Sequence, residues 1–452
     1  GRADLLRIGG AEIGRLTLDP GWRWSEHVKP IAGTDLCEAP HFQYHVSGVL
    51  RIRSADGTRA GVLLGTIHSQ DHRAYAHFHR AVAAMAECDM AYGELDLDAA
   101  HGRQNALLKD MMLPGGRTLK DLYPKGRYNK VMTYLRKHLG PLVLLVGNMK
   151  PILVSAMVTE QRMPDDSAQV LDDRLLHVAR DLGMPTGGLE SMAEQMAALN
   201  AVPVDEQADL LYETVRNDGF VKEMERMLDA YAAQDVDAIK RMMKEAGVSD
   251  AFGRSLVTDR NRVMAMRMDS ILHLRTAFFG VGAAHLPGAD GVVEHLRKRG
   301  YTVEPIPAAS LTPPRVLPSW STIEDEDLGF KAEFPFGAAM ERLDRADGAQ
   351  WAQGVPGKGL YCRLEVHSAD SLTRSDDIRA TSDEQAHGPY ERFDQAGLPA
   401  FRRTWTSDGR TTVETVIPTV DAEFRLITEA DAGDRLQARL AAAFVARFER
   451  LD

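Results

Sequence analysis

The sequence is short of cysteine, of long apolar runs and of clustered positive charge. Its three cysteines, Cys37, Cys88 and Cys362, are far apart, odd in number and without CxxC spacing. That argues against a disulfide framework and a cysteine-based zinc site. The longest apolar run, near residues 141–147, is too short to cross a bilayer, so no transmembrane segment is expected. Lysine and arginine are dispersed, and the formal net charge is −11, which argues against nucleic acid as a partner. No signal peptide is read at the start, and a chain beginning at Gly1 leaves its compartment open. At 452 residues the chain exceeds one small core, and two or three domains are expected.

What the chain does have is two short motifs of one form. Gly65-Thr66-Ile67-His68 follows the apolar run Val62-Leu63-Leu64, and Gly282-Ala283-Ala284-His285 follows Phe278-Phe279-Gly280-Val281. A glycine at a strand end relieves Cβ crowding, so the histidine three residues on can face the crevice beyond a parallel sheet. Each motif opens a β-α-β pattern. In the first, strand 63–66 leads to a helix over 74–87 and a strand over 90–95. In the second, strand 276–281 leads to a helix over 290–299 and a strand over 301–306. Right-handed connections make both of them parallel-sheet pieces, expected in one sheet because either alone leaves an apolar face uncovered. A large helical insertion separates them, with helices over 170–182, 191–199, 205–216, 221–233, 237–245 and 255–274 and a short strand over 186–190. The fold class is thus α/β, with a mixed or parallel sheet built from two β-α-β units.

Two flanks complete the chain. Residues 1–60 read as a β-rich appendage with strands over 11–18, 42–46 and 49–52; residues 20–48 resemble the first half of a cupin without its second half. His41 and His45 sit where a cupin places metal ligands, but the partnering residues are missing, so a structural role is favoured. Such a segment packs on the next domain or on a partner chain, and a homo-oligomer formed through it is one option. A proline-rich linker over 307–325 leads to a C-terminal unit at 326–452, with strands over 330–334, 361–367, 401–406, 411–417 and 423–428 and a closing helix over 434–447. It is similar to small PsbP/Mog1-like α/β domains and reads as a docking module.

Chemistry is expected where the strands end. His68, Glu94 and His285 each follow an apolar strand, and two imidazoles with a carboxylate suit a divalent ion that keeps positions open for water and substrate. A lone histidine at a strand end is more often structural; the combination favours a site. Arg260 and Arg262 precede a helix and are suited to orient a substrate carbonyl or carboxylate, with Asn261 between them; Arg262 is preferred, and solvated arginines at a helix start are the competing reading. Glu190 is either an acceptor for a ligating histidine or a helix cap before Ser191. Asp71 caps the helix after His68. His72, His77 and His79 should mostly face solvent, Asp96 begins a loop, and Glu304 is a weak counterpart of Glu94.

Taken in order, Gly65-Thr-Ile-His68 with Asp71, Gly93-Glu94-Leu-Asp96, Met149-Lys-Pro151, Gly188-Leu-Glu190, Arg260-Asn-Arg262 and Gly282-Ala-Ala-His285 resemble the TraB/GumN family, which includes the Tiki-type metalloproteases, over about residues 61–306. The resemblance implies a divalent-metal hydrolase with His68, Glu94 and His285 as ligands and manganese or cobalt as the metal, with zinc as another option; Glu94 and Arg262 are the candidates for catalysis. It also implies a peptide or small-molecule substrate and an extracytoplasmic, periplasmic setting. The competing reading is a non-catalytic peptide- or ligand-binding protein of the same fold.

Overall fold

The computed structural model of the chain describes strands 2–8 and 11–17 and residues 49–95, 110–216, 220–245, 253–307, 311, 319–335, 341–345, 348–368 and 387–451. Two units are distinguished, Gly1–His45 and Val46–Asp452. In the first, β1 (Arg2–Ile8) pairs antiparallel with β2 (Ala11–Thr17). The cupin-like stretch at 20–48, with His41, His45 and the strand expected at 42–46, lies outside the described residues.

In the second unit, a six-stranded sheet carries the motifs. Its strands are β3 (Val49–Ser54), β4 (Ala60–Thr66), β5 (Met90–Gly93), β6 (Thr186–Gly188), β7 (Ala277–Gly282) and β8 (Tyr301–Pro305). Their spatial order is β6-β5-β7-β4-β3-β8. β4 is parallel to β7, β7 to β5, and β5 to β6, while β3 runs antiparallel to β4 and β8. Val49–Ser54, grouped with the N-terminal appendage in the sequence reading, is therefore an interior strand of this sheet. The two β-α-β units do share one sheet, and they interleave: β7 of the second separates β4 from β5 of the first.

Helices cover both faces of this sheet, which is why β4 and β7 read as continuous apolar runs. On one face α1 (Phe78–Ala86) sends Ala81, Val82 and Met85 onto Val62, Leu64 and Phe278. The insertion follows, with α2 (Lys125–Leu139), α3 (Pro151–Glu160), α4 (Leu171–Asp181), α5 (Met192–Asn200), α6 (Val204–Arg216), α7 (Phe220–Ala232) and α8 (Val236–Glu245). Leu175 and Val178 of α4 join the same core as α1. On the opposite face α9 (Asp259–Leu272) and α10 (Val292–Lys298) bury Met264, Met268, Leu272, Val292 and Leu296 against Leu63, Phe279 and Val281. Residues 110–160 had no element assigned from sequence; α2 and α3 pack there with α6 around Val131, Leu135, Val154, Val158 and Leu211.

Toward the C-terminus, β9 (Trp320–Asp325) and β10 (Phe330–Pro335) pair antiparallel, so a strand occupies the end of the expected linker. β11 (Glu341–Arg345), β12 (Gly348–Val355), β13 (Lys358–Ser368), β14 (Glu391–Gln395), β15 (Leu398–Ser407), β16 (Arg410–Pro418) and β17 (Ala422–Asp431) form an antiparallel seven-stranded sheet. The closing helix α11 (Arg435–Ala446) lies between this sheet and the first core. Phe444 and Val445 enter the C-terminal core, Leu440 enters the core under α1, and Arg439 donates to the carbonyls of Ala86 and Cys88 just beyond α1. Among the described residues no helix is long and apolar enough to cross a membrane.

Candidate metal centre

Interleaving brings the two motifs side by side. Gly65 of β4 is in register with Val281 of β7, and Thr66 with Gly282. Each motif glycine sits in close quarters. A Cβ on Gly65 would lie 2.8 Å from Leu286 Cδ1 and 3.2 Å from Ala283 Cα, so the second motif's turn packs directly on the first motif's strand. A Cβ on Gly282 would lie 3.0 Å from Glu94 Oε1 and 3.4 Å from His285 Cδ2. The Tyr231 hydroxyl, from α7, donates to the Gly65 carbonyl and fixes the strand end from beneath.

Glu94 follows β5, and its backbone pairing with the β6 strand continues past both strands: Leu189 N–H donates to Gly93 O and Glu190 N–H to Glu94 O. The two carboxylates therefore run side by side. Arg260, in the first turn of α9, bridges them, with its NH2 2.6 Å from Glu94 Oε2 and 2.6 Å from Glu190 Oε2. Burial opposes the guanidinium charge, but the carboxylates outweigh it and its pKa is raised. One cation serves two carboxylates, which leaves an uncompensated negative charge within this trio. Glu94 Oε1 accepts the Gly282 N–H at 2.6 Å and faces His285 Nε2 at 3.5 Å.

His285 is buried in the short turn after β7. Its Nδ1 lies 2.6 Å from Asn261 Oδ1, and the Asn261 Nδ2 donates to Asp290 O at 2.7 Å. The second bond fixes the amide so that its oxygen faces the ring, and Nδ1 must carry the proton. Burial is the main cause of a lowered His285 pKa, so the ring is neutral and Nε2 presents a lone pair toward Glu94.

His68 lines the same cleft as Glu94, in a cavity of about 290 Å3 that also meets Thr66, Asp172 and Asp173. Its ring is largely exposed, and Nδ1 lies 3.4 Å from Asp172 Oδ2, in the first turn of α4. That carboxylate raises the His68 pKa. Asp172 Oδ1 accepts the Thr66 hydroxyl at 2.5 Å, and its buried Oδ2 makes the ion-pair contact with His68 but no hydrogen bond among the described residues.

The structure thus joins Glu94, His285, Asn261, Arg260 and Glu190 directly and holds His68 on Asp172. His68, Glu94 and His285 do not all come within 4.8 Å; among the described residues the three donors that do are Asp71, His72 and Asp166. In that group Asp71 caps the turn at His72–Tyr75 and is paired with Arg73, and His72 Nδ1 lies 2.9 Å from Asp166. Arg262 is exposed on α9, Asn261 is buried against His285, and neither lines the cleft. Glu304 is exposed on β8, and Asp96 lies outside the described residues. Sequence reasoning missed Asp172. Paired acids in a helix's first turn read as partners of the helix dipole, and no spacing ties them to His68.

The donor chemistry fits a divalent ion at Glu94 and His285. A neutral imidazole lone pair and a carboxylate oxygen, both acceptors, face one another, and a cation between them removes the repulsion. Two donors each about 2.0–2.2 Å from a tetrahedral ion sit roughly 3.4 Å apart, close to what is observed. His68 follows the adjacent strand and turns its Nδ1 toward Asp172.

Comparison with known proteins agrees with this architecture. Residues 49–305 match the family described as TraB/PrgY/gumN, and the chain belongs to that family. It is similar to Metalloprotease TIKI1 of Danio rerio, 26% identical over 301 residues, covering 54% of this chain and 61% of the relative. Metalloprotease TIKI2 of Xenopus tropicalis is 26% identical over 302 residues, covering 54% and 58%. Metalloprotease TIKI1 of Homo sapiens is 24% identical over 332 residues, covering 61% and 65%. The chain spans about three fifths of the length of these curated relatives. These similarities suggest a metal-dependent hydrolase family and imply a metal ion.

Proposed function

We propose that the chain is a metal-dependent hydrolase of peptide bonds, with a divalent ion held by His68, Glu94 and His285. The observation that carries this reading is the His285 Nε2 lone pair facing Glu94 Oε1 at 3.5 Å, with Nδ1 already committed to Asn261. A divalent ion bound there supplies Lewis acidity, which acidifies water and polarises a carbonyl. The residues themselves divide the remaining work. Asn261 holds the His285 tautomer, and Asp172 orients His68. Gly282 N–H and Arg260 fix the Glu94 carboxylate from two sides, and the same carboxylate is placed to take a proton from water. Glu190 keeps Arg260 in place. Peptides as substrates follow from the relatives' name, manganese or cobalt from the family resemblance, and an extracytoplasmic setting from the same source.

The test is metal content followed by hydrolysis. Purified protein loaded with manganese, cobalt or zinc should retain about one ion per chain by mass spectrometry, and peptide hydrolysis should vanish with chelator and return with metal. A chain that keeps no ion, or that cleaves equally with chelator, rejects the proposal.

A further inference from the structure

We infer that the cavity lined by His68 and Glu94 is a subsite for one apolar side chain of a peptide, of leucine or methionine size. The inference rests on the peptidase reading and adds the substrate class. His68 at the mouth is exposed, whereas Leu175, Leu176 and Phe278 in the wall are buried, with Tyr92 and Leu95 between. The wall thus has a hydrocarbon part beside the polar Thr66, Glu94, Asp172, Asp173 and Gln195. At about 290 Å3 the cavity lies at the lower end of ligand pockets, which run roughly 300–1,000 Å3, and has room for a side chain of this size together with its stretch of peptide backbone.

Gly280 makes the room. It sits in the middle of β7, the central strand of the sheet, and faces this cavity. At Gly61 an added Cβ would meet Leu272 Cδ2 at 2.7 Å and Ala277 O at 2.8 Å, so packing demands glycine there. At Gly280 the nearest atoms would be those of Thr66, Phe278 and Leu175 at 3.6–3.9 Å, which are ordinary contacts. Packing does not require glycine at 280, yet the space is left open. Protein interiors are close-packed, and an apolar hole costs stability. A hollow with leucine and phenylalanine in its wall, opening beside His68 and the carboxylates of Glu94, Asp172 and Asp173, is a place for a ligand's side chain, and the carbonyl of the same peptide then lies near Glu94.

The test is ligand-observed saturation-transfer NMR on the metal-free full chain with the tripeptides Ala-Leu-Ala, Ala-Gly-Ala and Ala-Asp-Ala, zinc binding being measured separately. The leucine peptide should bind about tenfold or more tightly than the glycine peptide, as expected when an apolar pocket is filled. Gly280→Val should erase that preference with zinc stoichiometry unchanged. If Gly280→Val does not fold, Gly280→Ala is read instead and should reduce the preference. Equal affinities, preference for the aspartate peptide, no peptide binding, or a preference that survives at Gly280 variants overturns the subsite. Zinc binding without leucine preference rejects the subsite alone. A Gly280-sensitive leucine preference without zinc binding upholds the subsite and rejects the peptidase reading.

Discussion

Thr66 and Gly282 are register partners across β4 and β7, although more than two hundred residues separate them in the chain. That single pairing places two GxxH turns side by side at one sheet edge. It leaves His68 and His285 on adjacent strands, and each has its Nδ1 turned to a side-chain oxygen, of Asp172 and Asn261 respectively. The consequences are testable residue by residue.

Asn261→Ala should weaken metal binding without removing a ligand. The His285 ring loses the acceptor that fixes its tautomer, and outer partners of this kind are worth about 10–100-fold in metal affinity. A buried N–H left without an acceptor also costs about 1–3 kcal/mol of stability. Calorimetric metal titration and denaturant unfolding measure the two effects. Unchanged affinity would remove Asn261 from the site.

The two histidines should differ in their cost to the fold. His68→Ala removes a largely exposed ring and should leave the unfolding midpoint within error. His285→Ala empties a buried position and leaves Asn261 Oδ1 without its partner, so it should lower stability as well. Both should reduce metal content. Full metal retention by either variant counts against that residue as a ligand.

Arg260→Lys should be the damaging arginine change. A lysine cannot bond Glu94 and Glu190 together through a planar fork, so the Glu94 carboxylate loses its orientation. Arg262→Lys, on the exposed side of α9, should alter neither metal affinity nor stability beyond about 0.5 kcal/mol. Comparing the two variants by metal titration and kcat/KM decides between them; the reverse order of effects would return Arg262 to the site.

Asp71 should contribute an acid-sensitive share of stability. Its carboxyl is held below the usual aspartate value, first by the hydrogen bond from Arg73, and it caps the turn after His68. Because the folded pKa is depressed, the contribution is complete above the ordinary aspartate pKa of about 3.9 and is lost as pH falls through the lower folded value. Asp71→Asn should cost stability at pH 7 and narrow its difference from the parent below about pH 4. Urea unfolding of both proteins across that range provides the check, and a constant difference would mean that charge is not the cause.

Local features were readable from residue order. Apolar runs at 62–64 and 278–281 become buried strands because side chains on both faces meet helices. The α4 and α9 patterns become helices, and Asp71 becomes a cap, because these depend on neighbours within a turn or two. Even Asn261 was within reach: it lies on the stripe with Met264, Ala265, Met268 and Leu272, whereas Arg262 lies one turn before exposed Met266. The insertion of β7 between β4 and β5 was not readable, nor was the meeting of Asp172 with His68 or of Arg260 with two glutamates. Strand order and contacts across long loops depend on how whole layers cover one another, and no short-range spacing encodes that. Thus the sequence by itself determined the apolar strands and helices on either side of the two motifs, and the tertiary structure alone decided which side chains face the donors, because only packed layers fix the direction of groups that lie far apart along the chain.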